Sequence, residues 1–420
     1  MINWIYRIVL CILLFGVSAL IYGGNSLHPL LDKVTNGITL VGIAGLFVFF
    51  FRFPVIYKVA AWALLLGVTG LLLESRYEYG QFVYSYFVIK RFAYCGLALL
   101  AFAMAMQGGP LKIKYINYAI FAFYVINQLF LGQIFKYNLT SESRTVTSNE
   151  ALYLVIPFLY YAVTYLKERR IIDFLLSLFT FAFIVFLLHR SVISAAVVVM
   201  AVVAGLSLMG KLSTGGLPMG RTVATLVVLL VALTPLMGML PGNKVDAFLE
   251  NIGGILSPKD DETGSWRLEQ SEYYLSQIPE KPVLGWRYEG YDRGEIMENE
   301  DFPEKGTIIH SQYIDMLYNY GAAGLALNLL IILGTLFVIY RRNPQFSTEQ
   351  TVLFGFIFSG LVYAVSYQLP VFYWGFVGMG MCYAFRPQAA SQQGNGPQDE
   401  PIEFELSESE SVTVYKTTQS

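Results

Sequence analysis

The stretch IIDFLLSLFTFAFIVFLL (residues 171–188), the pair His189-Arg190 and the stretch VISAAVVVMAVVAGLSLM (residues 192–209) decide how this chain is read. Each run approaches the roughly 20 apolar residues that a helix needs to cross the hydrocarbon of a bilayer. Only a helix satisfies its own backbone groups in lipid, so two such runs joined by three polar residues predict a pair of membrane-spanning helices.

Outward from this pair the pattern repeats. Towards the N-terminus, apolar runs cover about 4–22, 34–51, 60–73, 91–106, 116–134 and 151–166. Towards the C-terminus they cover about 222–240, 321–340, 352–367 and 371–385. The first run is long, has Arg7 near its start and is followed by no small-residue cleavage site, so it reads as a retained span. The expectation is an all-α polytopic membrane protein of about twelve transmembrane helices, within a range of roughly 10–13. Composition agrees. Hydrophobic residues make up 55% of the chain and charged residues 14%, too few to cover a water-soluble surface of this size. A net charge of −2 argues against a nucleic-acid partner. Cys11, Cys95 and Cys382 fall far apart inside apolar runs and read as small buried hydrophobes.

When the runs are counted alternately, Arg52/Lys58, Lys112/Lys114, Lys167/Arg169/Arg170, Lys211/Arg221 and Arg341/Arg342 all fall on one side. The excess of basic residues in short loops marks that side as cytoplasmic, together with both termini. Lys90 and Arg91 depart from the rule, either as a lapse or as groups placed for an anionic ligand. The chain then divides into helices 1–9 over 1–240, a large outer loop over 241–309, helices 10–12 over 310–386, and a tail over 387–420. The tail is too polar to offset the entropy of ordering and is expected to be disordered and cytoplasmic.

The large loop is the long polar interval in an apolar chain. It contains Thr263-Gly264-Ser265-Trp266-Arg267, the turn Pro282-Val283-Leu284-Gly285-Trp286 and an acidic stretch over 289–305, and it closes on His310. Residues 265–278 predict a short amphipathic helix capped by Ser265 or Thr263 and ended by Pro279. Its aromatics Trp266, Tyr273 and Tyr274 fit a bilayer interface. His310, Tyr313, Leu317, Tyr320 and Gly324 recur at helical spacing, and the Gly321–Gly324 step reads as close packing between small residues. The histidines, at 28, 189 and 310, form no metal-ligand spacing with Cys, Asp or Glu, and no nucleophile elbow or phosphate loop is present. Arg190, at the outer end of a long apolar run, reads equally as a cation snorkelling to headgroups or as the partner of an anion. Arg267 is a fork-shaped donor suited to phosphate oxygens.

The order of these pieces resembles the superfamily of O-antigen ligases and O-antigen polymerases. The pieces are Arg190-Ser191 at the outer end of a mid-chain span, Gly264-Ser265-Trp266-Arg267, the Pro282–Gly285 turn, and His310-Ser311-Gln312-Tyr313 running through Leu317 to Gly321-Ala322-Ala323-Gly324-Leu325. The likeness is concentrated in residues 188–340. It implies a GT-C-like, metal-independent membrane glycosyltransferase, without cofactor, working on the periplasmic face of the bacterial inner membrane. The implied donor is a glycan on undecaprenyl pyrophosphate. The implied acceptor is a second lipid-linked glycan for a polymerase or the lipid A core for a ligase, with membrane lipids and a chain-length regulator or other assembly proteins as further partners. By the resemblance, Arg190 and Arg267 hold the pyrophosphate, His310 stands at the acceptor side as a catalytic residue, and Trp266 and Tyr313 flank the substrate. The turn departs from the family in continuing with Trp286-Arg287 where further glycines are usual. The rival reading is a lipid-linked glycan or polysaccharide transporter without chemistry, although the chain shows no internal repeat.

Overall fold

The apolar runs fold as helices wherever the structure describes them. A computed structural model describes residues 2–23, 28–131, 146–212, 262–292 and 309–385. Its α-helices in chain order are α1 (Ile2–Cys11), α2 (Pro29–Phe49), α3 (Val55–Tyr79), α4 (Tyr86–Ala93), α5 (Gly96–Gly108), α6 (Ile113–Leu131), α7 (Ser148–Leu152) and α8 (Val155–Glu168). They continue as α9 (Ile171–Phe186), α10 (Arg190–Leu208), α11 (Glu262–Gln277), α12 (Arg287–Asp292), α13 (Gln312–Arg342), α14 (Thr348–Tyr363) and α15 (Val371–Phe385). Among the described residues every regular element is helical. The expected span at 222–240, the greater part of the acidic stretch and the tail over 387–420 lie outside the described residues.

Among the described residues, four helices are long and apolar enough to cross a membrane: α2 with its short extension to Arg52, α3, α10 and α13. The run expected at 91–106 is instead broken into α4 and α5, which meet at 52° and count as a fifth if taken as one span. α1, α9 and α15 are apolar but shorter.

The core runs through the whole bundle. α15 lies along α5, α8 along α9, and α10 along α14. Small residues make the first contact tight, since a Cβ on Gly378 would sit 2.2 Å from the Ala98 carbonyl oxygen. Such close approach is how helices gain contact in lipid, where apolar burial alone offers no preference between protein and hydrocarbon. Cys95 and Cys382 are buried in this core as expected, whereas Cys11 faces outward.

The bundle has two chemically different ends. At one end Lys211 Nζ donates to the Tyr340 and Asn343 carbonyls, both at 2.9 Å. Lys167 Nζ donates to the Phe346 carbonyl there at 2.9 Å. Lys167 and Lys211, two of the basic residues that alternate counting expects on one side, therefore do meet at one end, satisfying carbonyls at and just beyond the end of α13. The opposite end carries α7, α11, α12, the start of α10 and the start of α13.

Lys90 and Arg91 belong to this opposite end, and protein carboxylates neutralise both. Lys90 Nζ lies 3.0 Å from Asp32 Oδ1. Arg91 Nη1 lies 3.1 Å from Asp315 Oδ1, with Asp315 fully buried and Arg91 9% exposed. Asn319 Nδ2 donates to the same carboxylate oxygen at 2.8 Å. Whichever of the two readings left open by the sequence applies, each residue is engaged by a carboxylate of the protein. They fasten α4 to α2 and α13.

Candidate active site

The glycine step at 321–324 does not form a continuous small-residue seam. Gly321 adopts φ 64°, ψ −166° and breaks α13 into a first segment before it and a membrane segment after it. The break leaves N–H groups without helical carbonyls, and the Pro282–Gly285 turn supplies the missing partners. Ala322 N–H donates to the Pro282 carbonyl at 2.9 Å, Ala323 N–H to the Val283 carbonyl at 3.1 Å, and Trp286 N–H to the freed Tyr318 carbonyl at 2.8 Å. The approach is backbone to backbone. A Cβ on Gly321 would lie 2.3 Å from Val283 C and O, and one on Gly285 would lie 2.5 Å from Asn319 C. The glycines of two separate motifs thus have a joint purpose, which is to seat the outer loop on α13.

The seated loop carries its own small core of Tyr274, Trp286, Ile309 and Tyr318. Tyr274 meets Tyr318 edge-on at 4.7 Å. Trp266 and Tyr274 are only 4% and 2% exposed, so they pack into protein and not into a bilayer interface. Burial pushes the Tyr274 phenol well above its ordinary range, so it stays neutral. α11 starts at Glu262, a turn earlier than the sequence predicts, which places Ser265 inside the helix and not at its cap.

This helix presents the predicted residues. The Arg267 guanidinium lies over the Tyr367 ring, 4.7 Å from its centroid, and Nη2 donates to the Tyr367 hydroxyl at 3.1 Å. Arg267 Nε is buried with no hydrogen-bond partner among the described residues. One residue earlier, Trp266 meets the His310 ring edge-on at 5.3 Å. His310 is held from a second direction by Gln270, whose Oε1 lies 3.3 Å from both the His310 main-chain N and its Nδ1. The backbone around His310 is pinned to the end of α14: Gln368 Nε2 donates to the Ile309 carbonyl at 2.6 Å and Gln312 N–H to the Ala364 carbonyl at 3.0 Å.

The hinge before α10 reaches the same place. Leu188 adopts φ 56°, a conformation costly for a branched side chain, and so turns the chain into His189 and the first residue of α10, Arg190. His189 Nε2 lies 2.7 Å from the Val146 carbonyl. A carbonyl only accepts, so Nε2 bears the proton. Two residues beyond Val146, Ser148 Oγ and Asn149 Oδ1 lie 2.9 Å and 2.8 Å from the Tyr363 hydroxyl. Tyr363 in turn stacks on Tyr367 at 5.2 Å, beneath Arg267.

A chain of direct contacts thus leads from His310 through Trp266, Arg267, Tyr367, Tyr363 and α7 to the His189-Arg190 hinge. The structure brings the three predicted catalytic residues to one end of the bundle. Tyr313 is differently employed, because its hydroxyl donates to the Leu361 carbonyl at 2.7 Å and ties α13 to α14. The acidic residue Glu289, described at the start of its stretch, pairs with Lys281. His28 caps α2 by accepting from the Leu30 N–H at 3.2 Å. Among the described residues no three His, Cys, Asp or Glu side chains come together as a metal site would require.

The sequence did not point to Gln270, Tyr363, Tyr367 or Gln368. A local signal existed for two pairs: Trp266 and Gln270, like Tyr363 and Tyr367, are four apart on a helix and share a face. Nothing local joins α11 to the end of α14.

No curated protein matches the chain at a significant level. A family model described as O-antigen ligase matches residues 140–329, an interval that contains the α9–α10 hinge, the whole of α11, the Pro282–Gly285 turn and His310. The arginines, the histidine and the loop seat, in this order and gathered at one end, thus fall within the interval 140–329 that is similar to the O-antigen ligase family.

Proposed function

We propose that the chain is an inner-membrane glycosyltransferase that uses a glycan on undecaprenyl pyrophosphate and extends it, in the manner of an O-antigen or exopolysaccharide polymerase. The observation that carries this reading is Arg267. Its guanidinium is held over the Tyr367 ring with Nε buried and unpaired among the described residues, at the end of the bundle that also bears His310. A buried donor without a partner costs about 1–3 kcal/mol. An anionic oxygen docking there would recover that cost and add a charge-assisted bond.

In the proposed reaction the bond between the anomeric carbon and the pyrophosphate oxygen breaks as the acceptor hydroxyl oxygen bonds to that carbon. The hydroxyl proton passes to His310, and the electron pair leaves with the pyrophosphate. Arg267 and Arg190 stabilise the charge that accumulates on it, Arg190 with help from the N-terminal end of the α10 dipole. Direct displacement inverts the anomeric centre. On this reading guanidiniums supply the charge compensation, and the cytoplasmic end is the one bearing Lys167 and Lys211.

The description of the matched family favours a second reading, transfer to the lipid A core by a ligase. Deleting the gene and resolving the cell's surface glycans on a gel separates the readings. One repeat unit on the core identifies a polymerase, and long chains stranded on the carrier lipid identify a ligase. In membranes loaded with lipid-linked glycan, Arg267→Ala and Arg190→Ala should each abolish transfer while inserting normally. Full activity in either variant refutes the pyrophosphate clamp.

A further inference from the structure

We propose that Gln270 is a positioning residue that fixes the tautomer and aim of His310, so that the imidazole meets the acceptor with the lone pair of Nε2. The proposal rests on the reading of His310 as the acceptor-side base.

Gln270 is 2% exposed, and a buried amide is retained only where its polar atoms are engaged. The identity of its facing atom follows from the backbone. The His310 main-chain N–H is a donor in every protonation state, and it points at Gln270 from 3.3 Å. The atom it meets must accept, so it is the amide oxygen and not the NH₂. The same oxygen stands 3.3 Å from His310 Nδ1. An oxygen with no hydrogen can only accept, so Nδ1 carries the proton. A neutral imidazole has one N–H, which leaves the lone pair on Nε2.

The surroundings leave the ring little choice of direction. Trp266 blocks it edge-on at an interplanar angle of 86°. The Ile309 carbonyl and Gln312 N–H on either side are anchored to the far end of α14 and its connector. The arrangement parallels a carboxylate that orients a catalytic histidine through Nδ1, except that the orienting group here is neutral. A neutral acceptor sets the tautomer without adding an anion beside the pyrophosphate site, where a carboxylate would repel the donor.

The test is ¹⁵N-histidine labelling of the full chain in nanodiscs, with His310 assigned by difference from His310→Gln. The expected result is a pyrrole-type Nδ1 and a pyridine-type Nε2 for His310. Gln270→Leu should lose this fixed pattern and lower kcat by about 10–100-fold, as loss of an orienting partner commonly does, with KM for the donor within about two-fold. Gln270→Glu restores the acceptor, and should restore the pattern and most of the lost kcat, while its added carboxylate raises KM for the donor. A pyridine-type Nδ1 in the wild type overturns the proposal whatever the kinetics, and so does wild-type kcat in Gln270→Leu. A misfolded Gln270→Leu leaves the wild-type spectrum and the Glu variant to decide. The correct tautomer combined with a fully active His310→Ala would instead refute the catalytic reading and leave the assignment of Gln270 intact.

Discussion

The substitution Gly321→Ala tests whether the loop seat works as described. At φ 64°, ψ −166° the backbone occupies a region nearly exclusive to glycine, where another residue costs about 1–3 kcal/mol. The new methyl would stand 2.3 Å from Val283 C and O, and neither backbone can yield without parting the turn from the helix. Parting them forfeits the bonds from Ala322, Ala323 and Trp286, at about 1 kcal/mol each. The sum is about 4–6 kcal/mol against the seated state, or a shift of about 10³- to 10⁴-fold in its opening equilibrium. Hydrogen–deuterium exchange reads this directly at the three donor amides. Their protection should fall by that order while the amides of α5 and α15 stay unchanged. Wild-type protection at Ala322, Ala323 and Trp286 would refute the reasoning, and so would uniform loss across the bundle.

Other expectations follow from single contacts. Asp315→Ala leaves Arg91 buried and unpaired and should cost about 3–5 kcal/mol, whereas the double change Arg91→Met with Asp315→Leu should cost far less; thermal unfolding in detergent compares them. Arg267→Lys keeps the charge but loses the planar fork over Tyr367, so donor binding should weaken by at least about ten-fold, measured as KM for the lipid-linked donor. Reporter fusions at Ser271 and Gln398 should report opposite sides of the membrane, and matching sides would overturn the proposed orientation.

Much of the architecture was legible because the bilayer imposes one rule, a run of apolar residues per crossing. Helices formed at the runs within the described residues, and Lys167 and Lys211 came to one end as alternate counting requires. The break between α4 and α5 was hidden, since Tyr94, Cys95 and Gly96 are as compatible with a continuous helix as with a bend. Lys90 and Arg91 read as a lapse or as groups for an anionic ligand because Asp315 lies more than two hundred residues away, and no local pattern announces a long-range ion pair. In the candidate site, residue type and order pointed to Arg190, Arg267 and His310, which the fold sets at one end of the bundle. Tyr367 and Gln270 were missed because a phenol or an amide acquires its meaning only from what the fold sets beside it. Gly321 was misjudged for a related reason: a glycine that packs and a glycine that turns look alike in sequence, and the difference lay in the distant Pro282–Gly285 turn.

Arg267 and Gln270 stand one turn apart on α11, and this has a consequence for the economy of the reaction. One rests on Tyr367 and the other holds the ring of His310, so a rigid displacement of this helix would release both at once. On the proposed mechanism, leaving-group stabilisation and base orientation are thereby conjoined: an unseated loop would disarm donor activation and acceptor activation in the same motion. On that mechanism the site would be protected against futile hydrolysis, because water that enters the open site would find neither an activated donor nor an aimed base. Tyr274→Ala, which weakens the seat, should therefore lower glycan transfer and donor hydrolysis together, and a rise in hydrolysis would show that the two functions are not conjoined.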